Sequence, residues 1–497
     1  MTLSTLLKIP PTKSALMNAD KKNSDMASPA DMRDAFEAAL EAAYDFRLDI
    51  KTRGPAPSAD PKALMAAFDV PFADRPRAAG DVIRDLAAAA APGLMGNAGP
   101  NFYAWVMGAS HPAGVAADWL TSAWGQNSGL YATAPAAAVA EEVSMKWLLG
   151  LFDLPSDCGF GFTTGATMAG FTCLAAARNE VLSRAGWSIE ERGVFGAPEI
   201  KVFLGEEAHS TIFAALRYLG FGERNFVRIA IDGEGRMSAS DLAARLSEHD
   251  GPKIIIAQAG HINSGAFDPF TEIAALSEKH GAWLHIDGAF GLWARATPSL
   301  APLCKGAERA DSWSVDGHKW LQIPYDTAFA IVKDATALRR AMAIAASYLN
   351  APPEGRRDPS NYAPELSRRA RGFAVWAVLQ ALGRSGVEEM ILRHCDCARR
   401  LASRLESEPG VEILNEVVLN QLAIAFAPEK DRETQARLTD EVIAEIQRRN
   451  RCYVSGAAWK GKKIMRVSIS SGETDFDAID LLAEETLAAW RKVRERA

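Results

Sequence analysis

Hydrophobic and polar positions along the chain change their period several times, which predicts alternating strands and helices. Segment 253–260, KIIIAQAG, and segment 283–286, WLHI, are apolar runs typical of buried strands. Between them, segment 271–280 has helical spacing and is followed by Gly281, a residue common just after a helix. This order is a βαβ unit, which implies parallel strands and a right-handed crossover.

The same reasoning applies to most of the chain. It predicts helices at 29–48, 79–90, 112–124, 135–151 and 168–182, and strands at 199–204 and 327–332, with a proline-rich connector at 54–61. Alternating elements of this kind predict an α/β fold with a large, mostly parallel sheet and helices on both faces.

The pattern changes at about residue 374. Helices are predicted at 387–407, 433–449 and 476–494, and strands at 411–414, 421–426, 453–455 and 464–469. These elements predict a small α+β domain at 375–497, with an antiparallel sheet and helices on one face. At the other end, residues 1–28 have little apolar periodicity and are predicted to form a mobile tail.

Composition narrows the functional classes. The chain has 497 residues, of which 48% are hydrophobic and 24% charged, as in globular proteins with more than one domain. A net charge of −7 without a dense Lys/Arg block argues against a nucleic-acid partner. No run of 18 apolar residues is present, so we expect no membrane span.

The cysteines and the N-terminus bear on location and metals. Six scattered cysteines suit a reducing compartment, and no signal-peptide core is visible, so we expect a cytoplasmic protein. Cys395 and Cys397 lie beside His394, but no second ligand pair with zinc spacing follows. We therefore interpret them as structural and expect no metal site.

Lys319 is the first candidate for chemistry, because its neighbours include Trp313, His318, Trp320 and Leu321. A lysine held among such side chains is expected to be desolvated, which lowers its pKa and leaves an amine able to form a Schiff base with a carbonyl group. The alternative is a stem packed on aromatic rings with its ammonium group outside.

Asp287 follows strand 283–286, at the carboxyl end where open α/β sheets bind ligands. A buried carboxylate there suits a pyridine nitrogen that must stay protonated, and together with Lys319 it indicates pyridoxal phosphate as cofactor. The alternative is an acid that caps the turn after the strand.

Two motifs carry a family resemblance. His-Ile-Asp287-Gly-Ala289-Phe and Asp-Ser-Trp-Ser-Val-Asp-Gly-His-Lys319-Trp-Leu resemble those of the group II pyridoxal-phosphate-dependent amino acid decarboxylases, which include aromatic-L-amino-acid, glutamate and cysteine sulfinate decarboxylases. The resemblance extends from about residue 100 to about 377, and more weakly beyond. It implies fold type I of the pyridoxal-phosphate-dependent transferases, with Lys319 as the Schiff-base lysine, Asp287 at the pyridine nitrogen and Ala289 beneath the ring.

Gly165, Ala166 and Thr167 are the phosphate candidates. Small residues at a helix start expose backbone N–H groups to an anion, although they also serve as ordinary caps. The Walker lysine and the G-x-G-x-x-G spacing are both missing. The resemblance places the cofactor phosphate at these residues, and it assigns ring stacking and catalysis to His209, found here in an Ala-His-Ser context. A packed or capping histidine is the alternative.

His318 and Asn263 are further candidates for contact with the cofactor. His261 and Asn263 lie in a loop that is richer in threonine in animal aromatic decarboxylases, and Asp316 stands where many relatives have asparagine. Since a carboxylate cannot donate a hydrogen bond to phosphate, Asp316 puts direct phosphate contact at this position in doubt.

Tyr348 leads into segment 350–360, a polar run with three prolines that is typical of a lid, and it stands at the position of the catalytic tyrosine in the resembled family. The resemblance implies that it protonates the substrate carbon after carbon dioxide leaves, which favours decarboxylation over oxidative chemistry. Its alternative is packing. The resemblance also implies a substrate role for Phe102, Tyr103 and His111, with core packing as the alternative for the two aromatic residues.

Arg368 belongs to a basic run after the lid and is a candidate for either a structural or a carboxylate-facing contact. The resemblance implies a homodimer in which helical segment 29–112 packs across the subunits and segment 113–374 binds the cofactor.

The predicted function is decarboxylation of an aromatic L-amino acid to the amine and carbon dioxide. Alternatives within the resemblance are an acidic substrate (glutamate, aspartate or cysteine sulfinate), or aldehyde synthesis, transamination or carbon–carbon cleavage. Two alternatives do not depend on the resemblance: a doubly wound nucleotide-binding module and a cofactor-free structural protein.

Overall fold

The computed structural model describes residues 28–344 and 352–496. Contacts group them into two compact units: the described residues up to Leu48 with Ser58–Leu94, and Asp49–Pro57 with the described residues from Met95 onwards. Tyr348 and residues 1–27 of the predicted tail lie outside the described residues. The second unit contains both sheets, and a domain boundary near residue 374 stays a prediction.

The first unit contains three α-helices, α1 (Pro29–Asp49), α2 (Pro61–Phe68) and α3 (Ala79–Ala90). α1 and α3 confirm the predicted helices, whereas α2 was not predicted. The start of α2 has a local cause, because the Asp60 carboxylate accepts a hydrogen bond from the Ala63 N–H at 2.7 Å and Pro61 occupies the first helical position.

A seven-stranded sheet dominates the second unit, with strand order β1-β7-β6-β5-β4-β2-β3. Neighbours from β6 to β3 are parallel, and only β7 runs antiparallel to its neighbours β1 and β6. The predicted mostly parallel α/β sheet is therefore confirmed. The strands are β1 (Gly159–Thr163), β2 (Lys201–Gly205), β3 (Phe226–Ile229), β4 (Lys253–Gln258), β5 (Trp283–Asp287), β6 (Ser312–Asp316) and β7 (Ala328–Val332).

Helices cover this sheet on both faces. In β7, Phe329 and Ile331 join one hydrophobic cluster while Ala328, Ala330 and Val332 join another, because successive side chains of a strand point to opposite faces. Such double coverage explains why central strands are continuous apolar runs. The helices are α4 (Pro112–Trp124), α5 (Pro135–Leu151), α6 (Ala166–Arg184), α7 (Ile189–Arg192), α8 (Ser210–Tyr218), α9 (Ala239–Ser247), α10 (Phe270–His280) and α11 (Ala335–Met342).

The C-terminal sheet is antiparallel, as predicted, and its four strands lie in the order β10-β11-β9-β8. Leu422, Ile424 and Phe426 pack in one cluster with residues of all three helices of this region, so these helices lie on one face. The elements are α12 (Gly372–Leu405), β8 (Val411–Ile413), β9 (Gln421–Phe426), α13 (Arg432–Arg449), β10 (Ser455–Trp459), β11 (Lys462–Ser468) and α14 (Phe476–Arg494).

Two predicted bounds in this region are wrong. The strand predicted at 453–455 begins only at Ser455, where β10 starts. Tyr453 forms an isolated bridge with Phe102 and is not part of the strand. The helix predicted at 387–407 begins earlier, after a kink at Gly383, whose φ of 61° interrupts the helical conformation. A further helical stretch from Gly372 precedes the kink and was not predicted. Within the described ranges, no helix is long and apolar enough to cross a membrane.

Candidate active site

The carboxyl ends of β4, β5 and β6 meet at one edge of the large sheet, where Gln258, Asp287 and Asp316 are the last strand residues. A cavity of about 680 Å³, which includes space open to solvent, lies at this edge. All the predicted cofactor residues except Asn263 line it: Gly165, Ala166, Thr167, His209, Asp287, Ala289, His318 and Lys319.

Lys319 follows β6, and its Nζ lies 2.9 Å from Oδ2 of Asp316. Its neighbours Trp313, Trp320 and Leu321 are buried, as the sequence predicted, and its own side chain is 20% exposed. The ion pair with Asp316 was not predicted. Lys319 therefore combines a buried backbone with an amine that opens into the cavity.

Asp287 ends β5 with its side chain buried. Its Oδ1 accepts hydrogen bonds from the Ala289 N–H at 3.3 Å and, more weakly, from the Ser314 hydroxyl at 3.5 Å. Burial raises the pKa of Asp287, while the nearby His209 and Lys319 oppose that rise. A cationic N–H group inside the cavity would stabilise the charged form of this buried carboxylate.

His209 immediately precedes α8 and is largely buried. Its Nδ1 lies 2.8 Å from the Thr211 hydroxyl and accepts from the Thr211 N–H at 3.4 Å, so the ring also caps the helix. Burial lowers the pKa of His209, which keeps the ring neutral near pH 7, although Asp287 acts in the opposite direction. A neutral, fixed ring beside the cavity suits stacking on a flat ligand.

The start of α6 forms another wall of the cavity. Gly165 precedes the helix, and Ala166 and Thr167 occupy its first turn. The Ala166 N–H donates to Oδ1 of Asp316 at 2.7 Å, so one of the helix-end donors already holds a carboxylate. Beside it, Nδ1 of His318 accepts from the Thr327 N–H at 3.2 Å.

The three predicted substrate residues near residue 100 are absent from the described lining of this cavity. Phe102 stacks on Tyr453 with ring centroids 5.2 Å apart, and the buried Tyr103 donates its hydroxyl to the Ala478 carbonyl at 3.0 Å. His111 caps α4 by accepting from the Ala113 N–H. This geometry favours the packing alternative for both aromatic residues.

Asn263 and Arg368 also lie away from the described lining. Asn263 is buried, and its backbone N–H donates to Nδ1 of His261 at 3.3 Å. The Arg368 guanidinium bonds Glu141 at 2.8 Å and the Phe162 carbonyl at 2.7 Å, with no solvent exposure of the side chain. Of the two roles left open for Arg368, this geometry favours the structural one.

Sequence reasoning missed the residues that hold the lysine segment in place. A Cβ on Gly108 would lie 1.9 Å from the Lys319 carbonyl oxygen, so the chain passes directly against the lysine backbone. Gln322 is buried, and its amide accepts from the Ala109 and Gly472 N–H groups while it donates to the carbonyls of Lys319 and Ser470. No local pattern marks either residue.

Arg466 of β11 was also missed. Its guanidinium is largely buried, burial lowers its pKa, and its Nε has no hydrogen-bond partner among the described residues. Its charge is close enough to His209 to help lower that ring's pKa, after the larger effect of burial. The only available signal was a lone arginine within an apolar strand pattern.

The donor set fits pyridoxal phosphate. An amine, a buried carboxylate, a flat neutral ring and a helix start surround one cavity, and these match the aldehyde, the pyridine nitrogen, the ring face and the phosphate of that cofactor.

Comparison with known proteins agrees with this chemistry. Residues 61–427 match the pyridoxal-dependent decarboxylase conserved domain. The chain is 26% identical over 412 residues to the aromatic-L-amino-acid decarboxylase of Bacillus atrophaeus, covering 80% of this chain and 84% of that protein. It is 28% identical over 329 residues to the mouse acidic amino acid decarboxylase GADL1, covering 65% and 59%.

The fold is shared with solved structures. The crystal structure of Oryza sativa TDC with PLP and tryptamine superposes with a TM-score of 0.87, covering 94% of this chain and 98% of that one at 21% sequence identity. Such a likeness establishes fold type I, and the range of substrates among the relatives leaves the amino acid open.

Proposed function

Because the chain belongs to the family of pyridoxal-dependent decarboxylases, we propose that it removes carbon dioxide from an aromatic L-amino acid and releases the corresponding amine. The general activity, decarboxylation of an amino acid with pyridoxal phosphate, follows from family membership. The observation that carries the assignment of its site is the convergence of Lys319, Asp287 and His209 on one cavity.

In this proposal each residue has a defined task. The Lys319 amine would hold the cofactor aldehyde covalently until an amino acid binds. The Asp287 carboxylate keeps a proton on the pyridine nitrogen, and the His209 ring orients the cofactor plane. Bound in this way, pyridoxal phosphate supplies an electron sink for the bond between the α-carbon and the carboxylate.

Two further tasks concern phosphate and proton transfer. Thr167 and the free N–H groups of the first turn of α6 bind the cofactor phosphate. Protonation of the α-carbon is assigned to Tyr348, which lies outside the described residues, so this role stays a prediction from the resemblance.

An uncharged substrate side chain is supported by the cavity lining. Among its described residues are the apolar Ile262 and Phe290 and no arginine, and the only lysine is Lys319, which is needed for the cofactor. Segment 345–351, AASYLNA, adds no cation by sequence. A second carboxylate would therefore find no dedicated partner in this lining, which favours an aromatic over an acidic amino acid.

One observation favours an acidic substrate as the second candidate. Arg466 is a buried cation with an unmade Nε hydrogen bond, and it lies near enough to affect His209. A guanidinium in this state suits a carboxylate ligand. An Arg466→Met variant separates the candidates, since only an acidic substrate would lose its side-chain partner.

The test is a screen of purified protein supplied with pyridoxal phosphate. We expect equal amounts of carbon dioxide and primary amine from phenylalanine, tyrosine or tryptophan, and none with Lys319→Ala. Amine from glutamate, aspartate or cysteine sulfinate alone would contradict the aromatic assignment. Carbon dioxide accompanied by an aldehyde would identify an aldehyde synthase instead.

We also propose a homodimer. Met32, Phe36, Leu40, Tyr44 and Leu48 recur every four residues on α1 and are between 40% and 61% exposed, so they form one apolar stripe. A second copy of the chain covers this stripe in the proposal. Light scattering should give twice the chain mass, and Phe36→Glu with Leu40→Glu should reduce it, whereas the exposed polar change Glu41→Gln should not.

The cytoplasmic location stays a prediction. All six cysteines are free and buried, and burial raises the pKa of each thiol, which is compatible with a reducing compartment.

A further inference from the structure

Asp316 places a carboxylate at the start of α6, where the proposed site holds the cofactor phosphate. Its side chain is 2% exposed, Oδ1 accepts from the Ala166 N–H at 2.7 Å, and Oδ2 lies 2.9 Å from the Lys319 ammonium group. It therefore occupies the first backbone donor of α6 and is neutralised by the amine that the cofactor uses. Cofactor binding affects both contacts, because the phosphate needs the donors of α6 and the aldehyde needs the Lys319 amine.

A phosphate ester loses its second proton at about pH 6 in water, so near neutral pH it is mostly a dianion. A like charge a few ångströms away disfavours that form, and the effect is large where both groups are shielded from water. A carboxylate also cannot donate a hydrogen bond to phosphate. The repulsion between the phosphate and the Asp316 carboxylate is smaller if one proton is shared between them.

The surrounding groups do not supply a compensating cation. Lys319 gives up its free ammonium group when it holds the cofactor. His318 Nε2 lies 3.5 Å from Asp316 Oδ1, but burial lowers the pKa of His318, and burial likewise lowers that of His209, so both rings are neutral near pH 7. Tyr325, whose pKa burial raises to about 12, is uncharged.

Asp287 is committed to the pyridine nitrogen and offers no cation to Asp316. Asp326, which also acts on His318, is paired with Arg371 at 2.9 Å, and Arg466, whose charge acts on His209, is absent from the described lining of the cavity.

We propose that Asp316 forces the cofactor phosphate to bind with one proton retained, so that the phosphate contributes less to cofactor affinity as the pH rises above about 6. This inference rests on the proposed site, in which the cofactor phosphate binds at the start of α6. It makes Asp316 a determinant of how tightly, and in which pH range, the enzyme keeps its cofactor.

The experiment compares two aldehydes, pyridoxal 5′-phosphate and pyridoxal, which lacks the phosphate. Their dissociation constants are measured by visible absorbance for the wild-type apoprotein and for Asp316→Asn between pH 6 and 8.5. Covalent attachment to Lys319 has its own pH dependence, but it is common to both aldehydes. The ratio of the two constants therefore reports on the phosphate alone.

We expect the wild-type preference for the phosphorylated aldehyde to fall as pH rises, approaching a limit of about tenfold per unit. In Asp316→Asn the preference should not fall, and at pH 8 it should exceed the wild-type value by about tenfold or more, since one pKa unit corresponds to one decade. Asparagine keeps the acceptor for Ala166 and adds a donor. The ³¹P resonance of bound cofactor should indicate the monoanion in the wild type and the dianion in the variant.

Controls separate the possible failures. Asp153→Asn removes an exposed carboxylate elsewhere and should behave as the wild type. Thermal unfolding at the wild-type temperature shows that Asp316→Asn is folded. Loss of the carboxylate beside Lys319 changes the attachment of both aldehydes alike, so that change cancels in the ratio. Equal preference and equal pH dependence in the wild type and Asp316→Asn would overturn the inference. If borohydride fixes neither aldehyde to Lys319 of the wild type, the proposed site itself is wrong.

Discussion

The Arg368 guanidinium and the Glu141 carboxylate form an ion pair at 2.8 Å, with side-chain exposures of 0% and 1%. The arginine comes from the segment before α12 and the acid from α5, so the pair joins parts of the chain more than 200 residues apart. Two charges this deeply buried are tolerated only while each satisfies the other.

Removing one partner should therefore be costly. We expect Arg368→Met to lower the free energy of unfolding by roughly 3–5 kcal/mol, because it leaves Glu141 buried and unpaired. Adding Glu141→Gln should restore a large part of that loss. Denaturant titrations of the wild type, both single variants and the double variant measure the coupling, and additive effects would contradict it.

Asp287 should control the chemistry without controlling the fold. Asp287→Asn removes the anion that keeps the pyridine nitrogen protonated, and we expect kcat to fall by about 10²–10³, the usual effect of losing one well-placed electrostatic group. Ser314→Ala removes the weak 3.5 Å donor to Asp287 and a 3.4 Å contact with Nε2 of His285 but keeps the Asp287 carboxylate, so it serves as the matched control. A kcat for Asp287→Asn within twofold of that control would argue against the assigned role.

Gly108 should be necessary for the position of Lys319. The Cβ of alanine at 108 would come within 1.9 Å of the Lys319 carbonyl oxygen and 2.3 Å of that of His318, so one of the two segments must move. We expect Gly108→Ala to lose about 1–3 kcal/mol of stability and to weaken cofactor binding. Gly233→Ala, where nothing lies within 4 Å of the added Cβ, should change neither property. Thermal unfolding and cofactor absorbance measure the two effects.

Acid should destabilise the protein partly through His394. Burial lowers its pKa to about 3, and its Nδ1 accepts from the Trp320 indole N–H at 2.9 Å. The unfolded chain takes up this proton near pH 6.5, so the stability due to neutral His394 is complete above pH 6.5 and is lost progressively as the pH falls towards 3.

His394→Asn keeps an acceptor for Trp320 but does not titrate. The loss of stability between pH 6.5 and 4 should therefore be smaller in this variant than in the wild type, by up to about 3 kcal/mol. Buried His285, whose pKa is also lowered to about 3, provides a similar contribution in both proteins and leaves part of the dependence in place. Identical pH profiles for the two proteins would show that His394 does not contribute.

The elements of the fold could be predicted because their signals are local. The helices Pro112–Trp124 and Pro135–Leu151 begin at prolines and keep one apolar period, and the strand before Asp287 is a short apolar run. Asp287 was predictable because it follows the second strand of a predicted βαβ unit, at the carboxyl end where open α/β sheets bind ligands. Lys319 was singled out by its aromatic neighbours and by the family resemblance, whereas β6, the strand that precedes it, was not predicted.

Only the tertiary structure decided which long-range partners these residues have. Phe102 and Tyr103 were candidate pocket residues, but Phe102 stacks on Tyr453, which precedes β10, and Tyr103 bonds to α14. The charge of Arg368 is paired with Glu141. The approach of Gly108 to Lys319, and the contact of Asp316 with the start of α6, likewise join segments far apart in the chain. Hydrophobic periodicity and helix capping depend on residues that are close in the sequence, so they can be predicted from it. Ion pairs and close backbone approaches depend on how whole elements pack, which no local stretch determines.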